Sequence, residues 1–407
     1  MGTDTRPHTR RGALTDRAAV VLVGCFLMLQ PLSTDFYLAS LPGLTQTFSA
    51  SVATVQLTLS VFVITFGVMQ LFIGPLSDRL GRYPVTVAGI ALYAAASIAC
   101  ALAPSIELLI LARLFQAIGC CTVVVVARAI IRDVFAPLAG ARVMAQASTL
   151  MAVGPLLGPI LGSLLEVRYG FRASFAVLAA FAGALFVAVF LRLGETNAHR
   201  DPAATRPRAL LRSYAQVLRS HHFLSYALVG AASYAGLFAF ISGSSFVLIR
   251  VLGVPTAHFG YGFAFCVSGY LVGTIACHRL LARYGIVRTL KISACASAGG
   301  GLAMAMLAVA GVAHWAAILL PQFVCMLAHG VNFPCAQAGA VAPFPRQAGA
   351  AAGVLGFLTM ALAALVGAWM GFSNNGTVFP LAFTVAAAGI AVFAAVWGYV
   401  ARLPRAG

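Results

Sequence analysis

The sequence predicts an all-α integral membrane protein with twelve transmembrane helices in two pseudo-symmetric six-helix halves, and three observations predict it. Of the 407 residues, 61% are hydrophobic and only 9% charged, where soluble chains carry about a quarter charged residues. Apolar stretches of roughly 20 residues, the length that crosses a hydrocarbon layer about 30 Å thick, recur twelve times. A short internal repeat relates the two ends: "DRLG" at 78–81 returns as "ARYG" at 282–285, an offset of 204 residues, about half the chain.

The spans in order are 18–40, 53–75, 84–103, 106–128, 143–165, 173–192, 223–247, 259–281, 288–312, 315–337, 348–371 and 378–401. They divide the chain into a tail at 1–17, a six-helix bundle at 18–193, a linker at 194–222, a second bundle at 223–401 and a tail at 402–407. The first span comes after "RPHTRRGALTDR", but the apolar run is too long for a cleaved signal and lacks a small-x-small site, so it reads as an uncleaved span. The linker's second part reads as an amphipathic helix with Leu210, Leu211, Tyr214, Val217 and Leu218 on one side.

A net charge of +17 in a soluble chain would suggest nucleic acid. Here the basic residues collect between alternate spans: Arg79 and Arg82, Arg128 with Arg132 and Arg142, Arg192 to Arg219, Arg279 to Lys291, Arg346 and Arg402. The intervening loops hold only Arg168, Arg172 and Arg250, so the positive-inside rule predicts both termini cytoplasmic and no nucleic-acid partner. The nine cysteines show no CxxC spacing and read as small core residues. All nine acids, from Asp4 to Asp201, lie in the first half and linker, and a carboxylate that carries protons therefore belongs there.

Three segments carry candidate chemistry. "GPLSDRLGRYPV" at 74–85 is a tight turn between spans two and three, with an aspartate among closely spaced glycines. "LILARLFQAIGCC" at 109–121 places Arg113 and Gln116 on one face inside span four; an arginine there either faces a cavity or snorkels outward. "GPLLGPILGS" at 154–163 spaces Gly154, Gly158 and Gly162 by four, a ridge that lets another helix approach, while its prolines bend the backbone.

The first segment resembles the signature loop of the major facilitator superfamily, G-x-L-x-D-R-x-G-R, with Gly74, Leu76, Asp78, Arg79, Gly81 and Arg82 in place. The resemblance implies the major facilitator fold and a cytoplasmic latch in which Asp78 and Arg82 make charge contacts that stabilise the outward-facing state. Span four is similar to that family's R-x-x-Q-G-x-G motif, with Arg113, Gln116 and Gly119 matching and Ala117 in place of a glycine. Span five resembles the antiporter motif G-x-x-x-G-P-x-x-G-G through Gly154, Gly158, Pro159 and Gly162, with Ser163 in place of the last glycine. "STDFYLASLP", "ARAIIRDVF" and "AFISGSSFVLI" look like stretches of the Bcr/CflA drug:proton antiporters, although Ala39 and Ser245 stand where prolines are common.

Resemblance to that group implies a monomeric, multi-pass protein of a bacterial inner membrane that exports small amphipathic compounds in exchange for protons by alternating access. Asp35, the one acid well inside a span, is the candidate proton carrier, with Arg113 as its candidate partner; the competing reading is a boundary cap. Phe36, Tyr37, Gln116, Tyr234, Phe238, Asn332 and Gln337 are candidates for the substrate cavity, each against ordinary packing in a chain that is 10% aromatic. His329 either titrates or is a hydrogen-bonded structural residue. The alternative function is a proton-coupled or facilitative transporter of a metabolite such as a sugar or amino acid. No P-loop, HExxH, GxSxG or metal-spaced cluster supports an enzyme, and no cofactor, metal site or catalytic residue is expected.

Overall fold

The computed structural model describes residues 16–198 and 200–403, so most of the tails expected at 1–17 and 402–407, Arg405 included, lies outside the described residues. Those described form helices and connecting turns, with no strand.

Span one is α1 (Asp16–Asp35), followed by a short 3₁₀ turn at Leu38–Ser40 and α2 (Leu41–Thr47). The regular helix stops at Asp35, inside the apolar run. Pro31 removes a backbone donor, and the hydroxyls of Ser33 and Thr34 bond to the carbonyls of Leu29 (2.6 Å) and Pro31 (3.0 Å), competing with the helix's own ladder. Spans two to four are α3 (Val52–Leu80), α4 (Arg82–Leu102) and α5 (Ile106–Val134). Ser51 and Ser105 cap α3 and α5 by accepting from the amides of Thr54 and Leu108. Helix α5 runs six residues past the expected end of span four. Span five, expected at 143–165, is longer and divided: α6 (Pro137–Met151) and α7 (Val153–Tyr169) meet at Ala152. Helix α8 (Phe171–Arg192) is span six.

The linker contains α9 (Pro207–Leu218), and here the structure corrects the expected apolar side. Val217 is buried and Leu210 and Tyr214 half-buried, but Leu211 and Leu218 point outward. The latter two are seven residues apart and share a stripe, whereas 210, 214 and 217 follow the i, i+4, i+7 row that meets the bundle.

In the second half, α10 (His221–Ser245) ends in a π-helical turn at Phe246–Val251. Spans eight and nine form α11 (Thr256–Val309), whose 54 residues would reach about 81 Å if straight, more than twice a membrane core. Gly285 breaks it with φ 68°, ψ 174°, which turns one run into two crossings. Gly81, at the equivalent place between α3 and α4, also takes a positive φ, 104°. The repeated Arg-x-Gly therefore marks the same turn twice, at a conformation glycine alone adopts cheaply. Helices α12 (Ala316–Val341), α13 (Ala348–Phe372) and α14 (Phe379–Gly398) complete twelve crossings.

Within the first half, α5 packs on α1, α3 and α4; in the second, α10 packs on α12, α13 and α14. The halves meet along α3 with α13 and α7 with α11, that is, span two with eleven and five with eight. Exchanging the halves converts one pair into the other, the relation expected of duplicated units. Glycines set both contacts: a Cβ at Gly67 would meet Met360, and one at Gly260 would meet the backbone of Pro159 and Ile160.

Candidate functional site

Where α1 stops, Asp35 is 4% exposed and enters a cavity of about 250 Å³ between the halves. Its carboxylate accepts from the Thr34 hydroxyl at 2.7 Å and makes no ion pair among the described residues. Gly158 of α7 lies against Asp35 and Phe36, and Gly162 against the Phe36 carbonyl, so the glycine ridge holds the broken end of span one rather than the opposite half. Besides Asp35, the cavity wall includes Arg128, Tyr234, Tyr270, His329 and Gln337. Nδ1 of His329 is 2.9 Å from the Ser233 hydroxyl.

Arg113 lies elsewhere. It is fully buried, donates from Nε to the Thr58 carbonyl (3.2 Å) and from Nη1 to the Ser33 carbonyl (2.9 Å) and Gln116 Oε1 (2.5 Å). The guanidinium stacks 4.2 Å from the Phe62 ring centroid and 4.8 Å from that of Tyr37. Gln116 passes a bond to Ser97 at 2.8 Å, and the Tyr37 and Thr58 hydroxyls are 2.8 Å apart. Arg113 thus ties α1, α3 and α5 together without an acid and does not touch Asp35; direct pairing of the two is not the arrangement present.

Of the residues expected in the substrate cavity, Tyr234 and Gln337 line it, together with the proton-carrier candidate Asp35. Phe36, Tyr37 and Gln116 pack within the first half. Phe238 meets Gly367 between α10 and α13. Asn332 bonds to the hydroxyls of Ser293 and Ser297 inside the second half. Wall residues that the sequence does not single out include Arg128, Gln70 and Tyr270. Arg128 is the last residue of the expected span four, where it reads as one of the positive-inside arginines; the continuation of α5 to Val134 places it inside.

At the linker end, the segment expected as a turn at 74–85 is helical except for the bend at Gly81, and the end of α3 and the start of α4 form a charged cluster. Arg82, 2% exposed, binds Asp78 at 2.5 Å and Asp133 at 2.8 Å, and donates to Ser77 Oγ at 2.6 Å. Arg79 donates to Thr205 at 2.8 Å. The linker closes over this cluster: Glu195 accepts the Arg82 amide at 2.8 Å, and the Asp78 carbonyl accepts from Asn197 (3.0 Å) and from the Asp201 amide (3.1 Å). A Cβ at Gly81 would collide with Glu195, while one at Gly74 would meet nothing. A second cavity of about 500 Å³, walled by Gly74, Asp78, Arg82, Tyr214 and Gln347 among others, adjoins the first through Gln70, Arg128 and Ala352.

The far end is joined instead. Gln56 of α3 and Ser242 of α10 exchange two bonds, Nε2 to the Ser242 carbonyl (2.5 Å) and Ser242 Oγ to Oε1 (2.6 Å). Arg250 reaches across to Thr45 Oγ1 at 3.1 Å and to the Pro42 carbonyl. Bonds across the halves therefore close over the far end of the central cavity, while its linker end adjoins the second cavity.

Twelve crossings in two exchangeable halves, with a cavity between them, define a multi-pass membrane transporter of small molecules. Residues 23–368 match the model of the Major Facilitator Superfamily, and the chain belongs to that family. It is 29% identical over 373 residues to the uncharacterized MFS-type transporter YdgK of Bacillus subtilis, covering 89% of this chain and 90% of the relative. It is 26% identical over 368 residues to the bicyclomycin resistance protein homolog of Haemophilus influenzae, covering 90% and 92%. A solved D-xylose-proton symporter shares the fold with a TM-score of 0.75 at 14% identity, over 95% of this chain and 97% of that one.

Proposed function

We propose that this chain is a proton-driven exporter of small amphipathic compounds of the antibiotic or drug class, in the manner of the Bcr/CflA group, with the linker end cytoplasmic. The observation that carries the reading is Asp35: a carboxylate in the wall of the central cavity, buried, with one hydroxyl donor and no ion pair among the described residues. An unpaired buried charge is costly, and adding a proton removes it, so solvation of the cavity and proton binding are linked. Asp35 would take a proton when the cavity faces outside and yield it when the cavity faces the linker end. Arg113 would act in this scheme by fixing the end of α1 through the Ser33 carbonyl rather than by pairing with the acid. The drug class is supported by the resistance name of the Haemophilus relative, and export by the glycine ridge of α7, which resembles the antiporter motif.

The test is a survival panel of antibiotics and dyes in an efflux-deficient bacterial host. Wild type should raise tolerance severalfold to at least one amphipathic compound, and Asp35→Asn, at equal membrane abundance, should abolish the gain. Full proton-dependent export by Asp35→Asn would remove the carboxylate from the mechanism. A panel in which wild type protects against nothing would point to a metabolite substrate.

A further inference from the structure

Arg128 is the one charged group among the described residues that lines both cavities. Its side chain is open to them and has no ion pair or side-chain hydrogen bond among the described residues. The acids nearest in the fold are already engaged. Asp78 and Asp133 bind Arg82, Arg132 lies 3.9 and 3.8 Å from those same two carboxylates, and an oxygen of Asp201 accepts the Ala203 amide. The second half contributes no carboxylate, because it contains none. Among the residues it contributes to the wall of the central cavity are the rings of Tyr234, Tyr270, His329 and Phe333 and the amide of Gln337.

Asp35 does not neutralise Arg128. Arg113 reaches the Ser33 carbonyl, which sets it level with the end of α1, and Arg128 lies fifteen residues beyond Arg113, about 22 Å along α5. The two charges therefore stand at opposite ends of the cavity, the acid towards the far end and the guanidinium at the junction with the linker-end space. A planar guanidinium with free donors, partly withdrawn from water, is matched by an oxyanion, which it can hold through two parallel bonds.

We infer that Arg128 is the anchor for an acidic group on the substrate, and that the transported compounds are aromatic amphiphiles bearing a carboxylate or comparable oxyanion rather than lipophilic cations. This rests on the proposal that the central cavity is the transport site. A compound arriving from the linker end meets Arg128 first, leaves its acid at the junction and extends its rings along the aromatic wall towards Asp35. The position gives Arg128 a task distinct from that of Asp35: it selects the cargo, while the carboxylate carries the proton.

The experiment uses the full chain in nanodiscs of neutral phosphatidylcholine and two dyes of one ring system, rhodamine B and its ethyl ester, which differ in the free carboxylate. Fluorescence anisotropy should show the acid bound about tenfold or more tightly than the ester, the range of one charge-assisted contact. Arg128→Gln should remove the preference for the acid over the ester, and Arg128→Lys should restore part of it. Matching melting temperatures and monodisperse elution keep a folding defect from counting as a loss of binding. Equal binding of acid and ester by wild type, unchanged acid binding in Arg128→Gln, or an equal drop for both dyes would each overturn the inference. Transport is read separately in proteoliposomes with a proton gradient. Acid-selective binding without export would sink the exporter reading and leave the anchor standing; export of the ester with no preference for the acid would do the reverse.

Discussion

Two buried charges in the first half behave differently, and their variants should separate. Asp35 has one hydroxyl partner, so Asp35→Asn keeps shape, replaces a costly charge with an amide and should leave thermal stability near wild type while export fails. Arg113 serves three acceptors from α1, α3 and α5. Arg113→Ala takes the charged donor from the Ser33 carbonyl and the Gln116 amide oxygen, at about 1–3 kcal/mol each before relaxation, while the Thr58 carbonyl keeps its place in the α3 ladder. Its export should fail together with a clear drop in melting temperature in detergent, and Arg113→Lys should recover little, because an ammonium cannot reproduce the fork. An unchanged melting curve for Arg113→Ala would show that the residue acts on substrate or proton and not as a tie. The acid was legible in the sequence because carboxylates are rare in this chain, so a single one inside a span stands out. The aromatic wall was not. Helix α1 ends at Asp35, so Phe36 and Tyr37 do not continue its face, and one sequence offers no phase by which Tyr234 could be told from Phe238.

Among the elements, glycine decides where helices touch. Gly260 sits where α11 passes α7, against the backbone of Pro159 and Ile160, which cannot yield as a flexible side chain can. Gly183 of α8 has nothing within 4 Å of its missing Cβ. Gly260→Leu should therefore cut the amount of monodisperse protein recovered from membranes, whereas Gly183→Leu should elute like wild type in fluorescence-detected size exclusion. Similar recovery of the two would mean that the α7 and α11 contact does not need close approach. The number and order of spans, and the duplicated turn at Gly81 and Gly285, were legible because each depends on local composition or on one backbone conformation. Which helix the ridge of Gly154, Gly158 and Gly162 receives was not, since small residues announce proximity without naming a partner. The same limit applied to α9, where five apolar residues fit one broad side by eye, but only the row through Leu210, Tyr214 and Val217 meets the bundle.

At the scale of the whole molecule, the state observed rests on an imbalance between its ends. The far end is closed by bonds that cross between the halves: the exchanged pair of Gln56 and Ser242, and Arg250 with Thr45 and Pro42. At the linker end, the charges of the signature loop are satisfied by one another and by the linker, leaving open space beside the first turn of α13 at Gly349 and Ala350. Removing cross-half bonds at the far end should shift the population towards a far-open state, since they exist only when that end is shut. Each is worth about 1 kcal/mol, so Gln56→Ala, which removes two of them, should change the ratio of states by roughly a factor of 30, and adding Arg250→Ala by more. The reporter is Ile241→Cys in a background without the native cysteines, because Ile241 lines the cavity and is 6% exposed in this closed state. In right-side-out vesicles, a membrane-impermeant thiol reagent should label this position several times faster when Gln56→Ala is present. Asp78→Asn, which weakens the linker-end cluster, should not accelerate labelling. Equal rates with and without Gln56→Ala would mean that these bonds do not set the balance between the two states, and that closure of the far end rests on the packing of Gly371 against Ala53 and Gln56 instead.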